Sequence, residues 1–117
     1  MSKYLARSTF TPQALQALRA EGATSRLTAA NALAVSVGGT LECYYFAFGE
    51  DDAIVILDLP DDHAALAASL AANESGDVRV TVTKLLTAHD FDEALTRGAE
   101  YRPPGSGLEN QWGNVGI

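Results

Sequence analysis

The chain has 117 residues, 47% of them hydrophobic and 20% charged, with a net charge of −7 and an isoelectric point near 4.6. That is the size and composition of one folded domain with a single core, not of a disordered chain. Eight thinly spread basic residues argue against binding to nucleic acid, which depends on neutralising phosphates, and against anionic membrane surfaces. Cys43 is the only cysteine, so no disulfide can form within the chain. No apolar run approaches the ~18 residues of a membrane span, and the opening MSKYLARSTF has no signal-peptide core. The expected setting is the cytoplasm.

In chain order, Lys3 to Thr9 is a short strand candidate. Thr11 is a good N-cap and Pro12 suits the first helical position, so a helix begins there. Leu27, Ala30, Ala34 and Val37 recur at helical spacing further on, and Gly38-Gly39 stops them. Thr11 to Val37 reads as one helical arm, kinked or broken near Gly22, with Asn31 interrupting its apolar stripe. Its many alanines permit close approach to a sheet.

Thr40 to Phe48 and Ala53 to Leu59 are two apolar runs around the acidic turn Gly49-Glu50-Asp51-Asp52, a hairpin signal. Asp61 to about Ala72 is a helix with acidic residues at its positive end. Val78 to Leu85 alternates, with Val78, Val80 and Val82 on one face and Arg79, Thr81 and Thr83 on the other. Thr87 caps a last helix, with Asp90 as its capping-box partner. Residues 1–101 therefore read as one domain and 102–117 as an irregular tail, in which Leu108, Trp112 and Val115 could dock.

The order β-α-β-β-α-β plus a terminal helix predicts an α+β, ferredoxin-like sandwich with a four-stranded antiparallel sheet in the order 4-1-3-2. Both helices then cover one sheet face, and the other should be polar if it meets water. A two- or four-residue loop in the hairpin pairs Phe48 with Ala53, Phe46 with Val55 and Tyr44 with Leu57, and a three-residue loop changes the pairing but leaves both faces apolar. Cys43, Tyr45, Ala47, Ile54 and Ile56 form the opposite face, which is also apolar. Soluble monomers rarely expose such a patch. The expected solution is a homodimer packed sheet to sheet; burying ~600 Å² of apolar surface per subunit would contribute about 15 kcal/mol before the entropic cost of association. The alternative is a tail folded back over the open face.

The hairpin LECYYFAFGEDDAIVILDLPDD, residues 41–62, resembles the GYD-domain family, as do Tyr4-Leu5, Thr11-Pro12, Gly38-Gly39, Ser75-Gly76 and Leu85-Leu86-Thr87. The resemblance extends over about residues 3–97 and implies a ferredoxin-like fold of the dimeric α+β barrel type. The family's motif is glycine, any residue, tyrosine, aspartate. Gly49, Glu50 and Asp52 fit it, but Asp51 stands where the tyrosine would be, so no role of that tyrosine carries over. The family has no assigned chemistry, and the resemblance supplies fold and assembly only.

No catalytic motif is visible. His63, His89 and Cys43 lack metal-ligand spacing, and the acidic turn lacks the calcium-loop pattern, so neither metal nor cofactor is expected. Cys43 has no adjacent histidine or helix N-terminus to activate it. Gly38-Gly39 follows a helix instead of preceding one, unlike a phosphate loop. The candidates are polar groups forced into apolar settings: Glu42, which starts the aromatic face of Tyr44, Phe46 and Phe48, together with Tyr44, Tyr45, Arg79 and Thr81. They either join two subunits, with Arg79 meeting Glu42 across a dimer, or line a pocket. The leading expectation is binding of a small uncharged or anionic metabolite between sheet and helices. The alternatives are an interaction module without ligand and a cofactorless oxygenase or isomerase.

Overall fold

The computed structural model describes residues 1–105, with residues 1–86 forming one unit and the described residues from Thr87 onward belonging to a second. The elements are β1 (Ser2–Phe10), α1 (Pro12–Glu21), α2 (Thr24–Ser36), β2 (Thr40–Phe46), β3 (Ala53–Leu59), α3 (Asp62–Glu74), β4 (Val78–Lys84) and α4 (Ala88–Leu95). The four strands make one open antiparallel sheet in the order β2-β3-β1-β4, the order expected, with β2 and β4 at its edges. No helix among the described residues is long and apolar enough to cross a membrane. The expected docking residues Leu108, Trp112 and Val115 lie outside the described residues.

Local chemistry accounts for most of the boundaries. The Thr11 side chain accepts from the Ala14 N–H at 3.1 Å, and Pro12 occupies the first turn of α1. Gly22, with φ +91°, divides the helical arm into α1 and α2. The end of α2 is a Schellman motif: the Gly38 N–H donates to the Val35 carbonyl at 3.0 Å and the Gly39 N–H to the Ala34 carbonyl at 2.8 Å. Gly38 has φ +86°, a conformation that glycine adopts without penalty. Gly39 is needed for another reason, because a Cβ there would collide with the Asp58 carbonyl oxygen and the Leu59 side chain. Asp61 caps α3 by accepting from the Ala64 N–H at 2.9 Å. In the second unit, Thr87 and Asp90 form the expected capping box of α4.

The core lies between one sheet face and helices α2 and α3. Tyr4, Ala6 and Ser8 from β1, and Ala53, Val55, Leu57 and Leu59 from β3, are buried there, against Ala34 of α2 and Ala65 and Ala68 of α3. Val80 and Val82 of β4 and Leu41 and Tyr44 of β2 extend the same layer. Asn31 does not interrupt it: the side chain is exposed, on the outer side of α2. Asn73 of α3 closes the β4 edge, accepting from the Val80 N–H at 2.8 Å and donating to the Val80 carbonyl at 3.1 Å. These two groups would otherwise be open to another strand.

The hairpin register departs from expectation by two residues. Phe46 pairs with Ala53 and Tyr44 with Val55, while Phe48 stands fully exposed in a longer turn. The reason is Asp52, which is drawn onto β1: its N–H donates to the Ser8 carbonyl and its carboxylate accepts from the Phe10 N–H, both at 2.8 Å. A bulge between Leu41 and Cys43 makes a second correction. It moves Glu42 off the face of Tyr44 and Phe46, and its carboxylate instead holds the Lys3 ammonium, which also binds Asp58 at 3.0 Å.

Candidate functional site

Short side chains face each other across the core: Ala29, Ala30 and Ala34 of α2, Ala65, Ala68 and Ala72 of α3, and Ala6 and Ser8 of the sheet. They cannot fill the space between layers, and a cavity of about 100 Å³ remains. The lining is alanine, valine, leucine and Phe10, broken by four polar residues: Ser8, Ser69, Tyr44 and Arg26.

Arg26 is the anomaly. It lies in the first turn of α2, at the positive end of the helix dipole, where a cation is disfavoured. Its Nε is buried and has no hydrogen-bond partner, an expensive state for a group that is always charged. Among the described residues no carboxylate forms an ion pair with it. Tyr44 is a polar neighbour that responds to it. Burial pushes the Tyr44 hydroxyl above its usual pKa, and the Arg26 guanidinium opposes this through its charge and a hydrogen bond. At neutral pH Tyr44 is therefore a hydrogen-bond donor and not a base.

Beyond Arg26 the cavity adjoins a wider cleft of about 360 Å³ between α1, α2 and the end of α3. Phe10, Arg26, Leu33, Ala72 and Val78 border both spaces. Glu21 and Asp77 line the outer one. Arg26 thus stands between an outer cleft that carries two acids and a more apolar interior.

Of the five residues expected at a site, only Tyr44 reaches this cavity. Tyr45 follows it on the strand and points to the opposite face, 69% exposed. Arg79 and Thr81 are exposed on that same open face, on β4. Glu42 is at the other edge, on β2, bound to Lys3. Two strands separate Glu42 from Arg79 in the sheet, roughly 14 Å at the usual strand spacing. These residues form no single pocket within the chain. Arg26 was not among the sequence candidates, although an arginine in the first turn of an alanine-rich helix was a readable signal.

The GYD domain profile matches residues 4–95, most of the chain. The chain belongs to the GYD domain family. No curated protein and no solved structure gives a significant match. In this GYD domain the acidic turn is more than a solvated loop. Asp51, at the position of the motif tyrosine, forms an ion pair with Arg7 at 2.8 Å, and Asp52 fastens the turn to β1. The turn braces the hairpin against β1.

A second polar constellation of the GYD domain lies at the other end of β1. The buried Tyr4 donates to Asp62, which pairs with Lys84 at 3.1 Å. Hydrogen bonding to Asp62 raises the Tyr4 pKa, and hydrogen bonds from Tyr4 and Lys84 lower that of Asp62. Both shifts move the pair away from acid–base chemistry at neutral pH. Its role is to pin the start of α3 to β1 and β4.

Proposed function

We propose that this GYD domain protein binds a small uncharged or anionic metabolite in the cavity between its sheet and helices α2 and α3. One observation carries the reading: the fold leaves an apolar cavity open and places in its wall a buried Arg26 Nε without a partner, beside Tyr44. Small-molecule sites have this character, an apolar lining with a few convergent polar groups. The test is a thermal-shift screen of metabolites on wild type and Ala68→Val, which narrows the cavity. Compounds that raise the midpoint of wild type but not of the variant support binding there. A screen in which nothing shifts wild type, while Ala68→Val is simply more stable, makes the cavity a packing defect. An oxygenase or isomerase would use the same groups, with neutral Tyr44 and Arg26 stabilising a developing enolate-like charge.

The functional unit in this reading is a homodimer of the dimeric α+β barrel type, joined through the open sheet faces. Leu5, Cys43, Ile54 and Ile56 with the exposed Tyr45 supply the apolar surface for it. Glu42 is engaged by Lys3 within its own chain, and Arg79, which has no partner among the described residues, is free to meet a second copy beside Thr81. Light scattering at micromolar concentration gives twice the chain mass for wild type and a lower mass for Tyr45→Lys. A wild-type mass equal to one chain overturns the assembly.

A further inference from the structure

Resting on the binding reading above, we infer that the ligand is a small apolar monoanion, a carboxylate with its charged end on Arg26 and Tyr44 and its body among the alanines of α2 and α3. The size follows from the cavity. About 100 Å³ of accessible space equals about three waters at ~30 Å³ each, far too little for a nucleotide, a flavin or a haem.

The charge follows from Arg26. A guanidinium bears five donors and no acceptor, so only acceptors can satisfy it. A carboxylate does so best, side-on, through Nε and one terminal nitrogen at once. Nε is the unpartnered atom here, buried in the wall, so a small turn of the side chain brings it to a bound carboxylate. Two exposed residues with carboxylates line the neighbouring cleft, Glu21 and Asp77, yet neither forms an ion pair with Arg26. Helix α2 has no side-chain N-cap, and the Glu21 carboxylate at its first turn accepts from the Ser25 hydroxyl at 3.3 Å instead of pairing with Arg26.

The apolar body follows from the remaining walls. No aspartate or glutamate lines the inner cavity, so an ammonium group has nothing to pair with and would face Arg26. Apart from Ser8, Ser69 and Tyr44 there are no side-chain partners for hydroxyls, which argues against sugars and other polyols. An aliphatic or aromatic acid is the chemistry that satisfies the whole lining.

The test uses four probes of matched size on the full chain: hexanoate, benzoate, benzamide and hexylamine, titrated by calorimetry into wild type, Arg26→Gln, Arg26→Lys and Ala68→Val. The expected result is binding of hexanoate or benzoate to wild type, weakened about tenfold or more in Arg26→Gln and partly restored in Arg26→Lys. Ala68→Val loses the anions as well. Benzamide binds more weakly than benzoate, and hexylamine does not bind. Benzamide binding as tightly as benzoate, with Arg26→Gln without effect, overturns the anion assignment and leaves the binding reading standing. Failure of all four probes on wild type overturns the assignment, and the wider metabolite screen then decides the binding reading separately.

Discussion

Arg26 at the start of α2 and Tyr44 in the middle of β2 meet in the wall of the internal cavity, where the guanidinium opposes the upward shift that burial gives the Tyr44 hydroxyl. A charged group and a phenol held this way in an alanine-lined space are the strongest chemical feature of the molecule.

The pair makes a prediction about titration. Removing the cation in Arg26→Gln raises the Tyr44 pKa further, because the group opposing burial is gone. Tyrosinate absorbance, taken as the difference between each protein and its Tyr44→Phe counterpart, reports the shift. The folded Tyr44 pKa lies above its unfolded value, so its contribution to stability is full below the ordinary tyrosine range and is lost as pH rises through the folded pKa. A Tyr44 pKa unmoved by Arg26→Gln would show that the two groups do not interact.

Filling the cavity stabilises the fold. Ala68 is 5% exposed and lines the space, and the two methyl groups of Ala68→Val occupy volume that is now empty. The expected gain is about 0.5–2 kcal/mol by urea denaturation. A loss of stability would mean that α3 packs too tightly on the sheet at this point to admit a larger side chain.

Gly39 tolerates no side chain. Its Cβ would meet backbone atoms of β3, which cannot move aside as a flexible side chain could. Gly39→Ala is expected to cost about 2–3 kcal/mol or more in urea denaturation. Gly49→Ala, where nothing lies within 4 Å, is the control and stays close to wild type.

Acid stability depends on Asp62. Its folded pKa is lowered by the Tyr4 hydrogen bond and then by Lys84. The linked stability is present above the ordinary aspartate range and is lost as pH falls through the folded pKa. In Asp62→Asn the acid limb of the stability profile flattens, read from thermal midpoints between neutral pH and about pH 3. An unchanged acid limb would place the sensitivity in other carboxylates.

Much of the architecture was legible because it is local. Thr11-Pro12 starts α1, Gly38-Gly39 ends α2, and Thr87 with Asp90 caps α4, each through contacts within a few residues. The alternation of Val78, Val80 and Val82 with Arg79, Thr81 and Thr83 announced that β4 has one apolar and one polar face. The hairpin was legible as a hairpin, but its register was not. That depended on Asp52 reaching Ser8 and Phe10 on a strand more than forty positions earlier.

The sequence by itself determined the order and type of the elements and the apolar character of both hairpin faces, since periodicity and capping act within one turn or one strand. Only the tertiary structure decided which face meets the helices, that the bulge hands Glu42 to Lys3, and that Tyr44 and Tyr45 part company. It also decided the site. Alanines on α2 and α3 are individually unremarkable helix formers, and Arg26 reads as one more surface charge. When both helices lie on the same sheet face, the missing methyl groups add up to a cavity and Arg26 becomes the charge in its wall. A void is a property of three layers brought together, and no single segment of the chain contains it.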